Sequence, residues 1–163
     1  MGSRRRAREI ALQMLYQFES QPELTDAEGV NAFFHQLKPQ IETEGAPDSA
    51  EEESYAEELV RGVRLHLVEI DAALTRASRN WRLERMAQVD RNLLRLACYE
   101  MKHGTDVPGK VVINEAIEIS KRYGTAESPA FVNGILDRCL SELGPRSEKE
   151  PAGGAKAPKG RAR

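Results

Sequence analysis

The sequence is short of the residues that most chemistry needs. It holds 2 cysteines and 3 histidines among 163 residues, and its aromatic content is 6%. Two cysteines in a chain of this length cannot make a disulfide scaffold. Cys98 and Cys139 fall within apolar helical faces, with no histidine or helix start beside them, and read as buried free thiols. His35, His66 and His103 lie on three different predicted elements with no metal-ligand spacing around them, so no zinc or di-iron pattern is expected. There is no glycine-rich phosphate loop, no nucleophile elbow and no strand-turn-helix to carry one, which argues against an enzyme and against a bound cofactor. No run of about 18 apolar residues occurs and the mean hydropathy is -0.57, which excludes a membrane-spanning helix. No apolar stretch follows the N-terminal arginines as a signal peptide would require, and a cytoplasmic location is expected.

What is present is an uneven charge. The net charge of -2 is the sum of +4 in the first eight residues, +4 in residues 144–163 and -10 in the body between them. Attraction to phosphate decays over about 8–10 Å at physiological salt, so this split predicts a local basic contact at one or both ends. Residues 144–163 are rich in glycine and proline with almost nothing apolar, and read as a disordered basic tail. Residues 1–143 read as a single helical domain of a length suited to one compact unit. The stretch from Gln40 to Glu58, with eight acids and no base, reads as a solvated loop followed by a helix start near Ser49.

The apolar residues recur at helical spacing. Ala7, Ile10, Ala11, Met14 and Phe18 line one face of a helix from about Arg4 to Glu19. A weaker pattern, Val30, Phe33, Phe34 and Leu37, precedes Pro39. Tyr55, Leu59, Val63, Leu67, Ile70 and Leu74 predict a helix over about 49–77, with Gly62 as a candidate break. A segment from Met86 to Met101 is apolar over much of its circumference and should be central. Gly104 is expected to end it as a left-handed cap, with Pro108 opening the next helix, which carries Val112, Ala116, Ile119 and Tyr123. Ser128 is the expected N-cap of a last helix, with Pro129 at its first position and Val132, Ile135, Leu136 and Cys139 on its apolar face. Gly134 within it is read as permitting close approach of a neighbouring helix. Nothing reads as a strand, so the fold class is all-α with about seven helices.

Two clusters point to nucleic acid. Arg4, Arg5, Arg6 and Arg8 open the first helix, two to three turns before Tyr16; guanidinium forks bind phosphate oxygens and an aromatic ring can carry an unpaired base. The bland reading is a solvated basic end, although arginines at a helix start oppose the macrodipole. Tyr16 is equally well half-buried or in contact with a partner. The second cluster, Lys121, Arg122, Gly124, Thr125, Glu127, Ser128, Pro129 and Phe131, places helix-terminal N–H groups beside two cations. Phe131 can stack on a base or extend the face of Ile135 and Leu136 into the core.

The run Arg4-Arg5-Arg6-Ala7-Arg8-Glu9, continuing through Ala11, Leu15 and Tyr16, resembles the opening of the NusB family of bacterial transcription antitermination factors. The segment 111–136 is similar to that family's most recognisable stretch, above all Ile113-Asn114-Glu115-Ala116 and Phe131-Val132-Asn133-Gly134. Arg95, Ala97, Tyr99 and Glu100, followed by Asp106-Val107-Pro108, fit as well. The resemblance implies two small packed helical bundles without catalysis. It also implies binding to the single-stranded boxA element of ribosomal RNA leader transcripts, together with the ribosomal protein NusE, within an RNA polymerase antitermination complex. Carried over position by position, RNA contacts fall on Arg4, Arg5, Arg6, Arg8, Lys121, Gly124, Thr125, Glu127 and Phe131, and NusE contacts on Tyr16 and Asp90. One departure is Ser128-Pro129-Ala130, where many members of the family carry a polar or basic pair before the phenylalanine. Two other roles fit the residues: a NusB-like accessory domain for ribosomal RNA modification, and a helical protein-interaction module. The sequence leaves monomer and homodimer both open.

Overall fold

The computed structural model describes residues 2–22, 28, 32, 50–104 and 106–143. The predicted helix around Val30 to Leu37, the acidic loop before Ala50 and the basic tail 144–163 lie outside the described residues. Six α-helices and one short 3-10 turn account for most of the rest: α1 (Gly2–Ser20), α2 (Ala50–Leu65), α3 (Leu67–Ser78), the 3-10 turn Leu83–Arg85, α4 (Gln88–His103), α5 (Gly109–Tyr123) and α6 (Ser128–Leu143). No strand occurs among the described residues.

Each helix forms where its apolar spacing meets a terminal signal. α1 buries Ala7, Ile10, Ala11, Met14 and Phe18 on one face. α2 begins on Glu51, Glu52 and Glu53 and ends near Arg64, charges that complement the helix dipole at both ends. Its boundary with α3 falls at His66, whose φ of -106° and ψ of 23° interrupt the helix. Gly62 stays helical. Its missing side chain makes room for Tyr99 on α4, because a Cβ there would stand 2.1 Å from the ring's Cζ. Arg79 closes α3 with a left-handed φ of 48°, and the Arg138 guanidinium of α6 donates to the exposed end of that helix at the Ala77 carbonyl, 2.6 Å away.

The helix expected to be central is α4. It packs against α1, α2, α3, α5 and α6 and buries Leu93, Leu94, Leu96, Ala97, Cys98 and Met101 in a single apolar core. The last residue before the next connection, Gly104, is extended, with φ -74° and ψ 151°, and so is not the left-handed cap expected from its position. Space explains the glycine: a Cβ would come within 2.6 Å of the Glu100 carbonyl oxygen, to which the Gly104 N–H donates at 2.9 Å. Pro108 occupies the N-cap position of α5, its carbonyl accepting from Val111 and Val112 N–H groups at 3.0 and 3.1 Å.

α5 and α6 approach closely at Gly109, where a Cβ would meet Leu140 at 2.5 Å. Gly134, read from sequence as the residue of close approach, has nothing within 4 Å of where its Cβ would be. The start of α6 also differs from expectation. Ser128 lies inside the helix and turns its hydroxyl back to accept from the Thr125 N–H at 3.0 Å, while its own N–H donates to the Thr125 carbonyl at 3.1 Å. Ser128 is thus the first residue of α6, and its hydroxyl closes the turn from Thr125 that leads into the helix. Gly124 is small because a Cβ would lie 2.4 Å from that hydroxyl.

Candidate nucleic-acid interface

The arginines that open α1 are arranged by acids from four directions. Arg4 reaches Asp106 at 3.1 Å and lies over the Tyr55 ring, 4.1 Å from its centroid. Arg5 forks the Glu115 carboxylate of α5 at 2.7 and 3.1 Å. Arg6 pairs with Glu9 at 3.1 Å, one turn on. Arg8 forks Glu100 of α4 with two bonds of 2.8 Å, and the Tyr55 hydroxyl donates to the same carboxylate. Burial, together with the negative charge of Glu100, pushes the Tyr55 phenol well above its ordinary range and keeps it protonated. The Arg5 guanidinium holds the Glu115 carboxyl below its usual range.

This geometry divides the four arginines. Arg4 and Arg5 remain partly exposed beside their acids, and Arg6 is more enclosed. Arg8 is 5% exposed. Its expected place at the RNA surface is corrected accordingly: the guanidinium is consumed by Glu100, because a charge this deeply buried must be paired.

The second cluster meets the first through one residue. Glu9, buried on α1, accepts from Arg6 and also from Arg122 at the end of α5, the latter at 3.5 Å. The start of α1 and the end of α5 thus form one cationic edge. Arg122 also lies over the Tyr123 ring at 5.4 Å, and Lys121 is exposed beside Glu118 at 3.2 Å. The turn from Gly124 to Ser128 follows directly, with Thr125 and Glu127 exposed. Phe131 is half-buried, packing on the core while meeting Trp81 edge-to-face at 5.6 Å. Trp81 is 55% exposed, and its turn is closed by the Ser78 hydroxyl donating to the Trp81 carbonyl at 2.8 Å. The reading of Phe131 as an extension of the core face thus holds in part. Trp81 was not foreseen, and the available signal was an isolated tryptophan in a short connection between helices.

The two expected partner contacts also separate. Tyr16 is 45% exposed on α1. Asp90 is buried in the first turn of α4, and its Oδ1 has no hydrogen-bond partner. Asp90, expected to meet a partner, is 9% exposed at the N-terminal end of the helix dipole, which favours a carboxylate. α1 and α4 also share a second ionic knot. Glu19 of α1 accepts from Arg91 and Arg95 at 2.9 Å each and from Gln88 at 2.7 Å, while Arg95 forks Asp71 of α3 at 2.9 and 3.0 Å. Burial opposes the Glu19 charge, but these donors prevail and hold its carboxyl at about 2.

Cys98 and Cys139 are buried and free, as expected. No described helix is long and apolar enough to cross a membrane.

A protein-family profile described as the NusB family matches residues 5–141. The chain belongs to the NusB family. Curated relatives that match most of the chain are named transcription antitermination proteins. The transcription antitermination protein NusB of Geobacter sulfurreducens is 48% identical over 143 residues, covering 88% of this chain and 97% of that protein. A solved NusB structure from T. maritima superposes with a TM-score of 0.73 at 37% identity, covering 85% of this chain and 91% of the other. A structure of the antitermination factors NusB and NusE in complex with dsRNA shares the fold, with a TM-score of 0.73 at 23% identity over 87% of this chain and 98% of the other.

Proposed function

We propose that this NusB-family chain binds the single-stranded boxA element of ribosomal RNA leader transcripts together with NusE, and so enters an RNA polymerase antitermination complex in the cytoplasm. The observation that carries the reading is the cationic edge where α1 and α5 meet around Glu9. Arg4, Arg5, Arg6 and Lys121 supply phosphate contacts. The turn at Gly124, Thr125 and Glu127 supplies polar groups for base edges, and Phe131 supplies a ring. Tyr16 contributes an exposed aromatic surface for NusE, in keeping with the NusB–NusE assembly of the structural relative. No bond is made or broken. Binding of one partner lowers the cost of binding the other, and the coupling is reciprocal.

Titration with boxA-like and scrambled RNA, with and without NusE and at several salt concentrations, tests this. About four phosphate contacts predict a log–log salt slope of about -3, at about 0.7 per contact for a single strand. Arg4→Ala combined with Lys121→Ala, two cations paired with exposed acids, should weaken RNA binding while leaving the melting temperature nearly unchanged. Equal affinity for boxA-like and scrambled RNA would defeat the assignment and favour a module that binds proteins.

A further inference from the structure

Two histidines assigned to separate elements come together away from the arginine network. His66 occupies the break between α2 and α3, Glu69 lies in the first turn of α3, and His103 is the last residue of α4. His66 Nδ1 stands 3.4 Å from Glu69 Oε1, and His103 Nε2 stands 3.1 Å from Glu69 Oε2. One ligand atom from each residue lies within 4.8 Å of the other two. The two imidazole rings stack with centroids 4.0 Å apart, and Tyr99 stacks on His103 at 5.2 Å.

We propose that His66, Glu69 and His103 form a binding site for a divalent transition-metal ion of the zinc class. Two imidazoles and one carboxylate are a donor set suited to such ions, with a fourth position left for water. Metal–ligand bonds of about 2.0–2.2 Å in a tetrahedron put neighbouring donors about 3.3–3.6 Å apart. The contacts from His66 and His103 to the two Glu69 oxygens, 3.4 and 3.1 Å, are already close to that edge, and rotation of the partly exposed rings would close the rest. Tyr99, held by its fit over Gly62, orients the His103 ring, as outer-shell packing does in metal sites. Lys102 is the built-in competitor, its Nζ 3.7 Å from Glu69 Oε2. An ion would displace that ammonium and tie the start of α3 to the end of α4. His66 and Glu69 stand three residues apart, but His103 arrives from the end of another helix, so spacing along the chain shows only two of the three ligands.

Full-length protein titrated with Zn²⁺ against a chromophoric chelator should bind one ion in the micromolar range and melt at a higher temperature when loaded. His66→Ala and His103→Ala should each weaken binding at least about tenfold, with metal-free circular dichroism unchanged, and Lys102→Gln should tighten it. Glu69→Gln serves as the ligand variant should an alanine variant lose its fold. Co²⁺ should give a ligand-field spectrum without a thiolate charge-transfer band, which separates this site from Cys98 and Cys139. Absence of saturable binding, histidine variants within threefold of the parent, or a thiolate band would each overturn the proposal.

Discussion

At the scale of single residues, burial decides what a charge does. Arg4 and Arg8 are one helical turn apart, yet one lies partly in solvent beside Asp106 and the other is enclosed with Glu100. Arg8→Ala would leave Glu100 buried without its main counter-ion, a loss of about 3 kcal/mol or more; Arg4→Ala should cost less than about 1 kcal/mol. Urea denaturation of the two variants checks this, and similar midpoints would contradict the buried-pair reading. On the proposed reading, a screen for antitermination alone would score both as defective, whereas measuring folded protein would separate them. The arginine cluster was legible from its order along the chain. Its division was not, because Glu100 and Glu115 arrive from helices some 90 to 110 residues away. Asp90 was assigned to a partner by its match to family positions, which carry no information on burial; in the fold its side chain is enclosed. Asp90→Lys should lower the melting temperature whether or not NusE is present, and Tyr16→Ala is the cleaner test of the proposed NusE surface.

At the scale of helices, the glycines show what sequence periodicity can and cannot say. The apolar stripes located α1 to α6 within a few residues, since side-chain spacing alone determines which face is buried. What a glycine makes room for depends on the neighbour. Gly62 reads as a break and is instead a seat for Tyr99, so Gly62→Ala should destabilise by about 1–3 kcal/mol through displacement of that ring. Gly134 reads as a contact and faces open space, so Gly134→Ala should stabilise by about 0.5–1 kcal/mol through helix propensity. Opposite shifts in melting temperature would check both assignments together. The Glu19 knot joins α1 to α4 and makes their docking sensitive to acid. Its folded-state value of about 2 lies below the ordinary 4.5, so its contribution is present above about 4.5 and is lost as pH falls towards 2. Glu19→Gln should flatten that part of a plot of melting temperature against pH.

At the scale of the whole molecule, α4 organises everything else. It touches each of the other five described helices, so no described helix can leave the core without exposing part of α4. Amide exchange should be slowest in its middle turns, around Leu93 to Ala97, and should there follow global unfolding. Faster exchange in those turns than in α6 would show that the bundle opens by halves. The all-α class and the centrality of this helix were evident from its broad apolar circumference. The meeting of α1 with α5 at Glu9, and of His66 with His103, is tertiary and has no local signature.

Glu9, Glu115 and Asp106 have a consequence for selectivity on the proposed reading. The cations facing the transcript already carry carboxylate companions, so a ribose–phosphate strand must replace them one by one. A bulk polymer drawn by charge alone recovers little from such an exchange, whereas a ligand whose bases also find the adjoining rings and turn does. The acids beneath the leading edge would thereby act as a filter, discouraging random transcripts from lingering there.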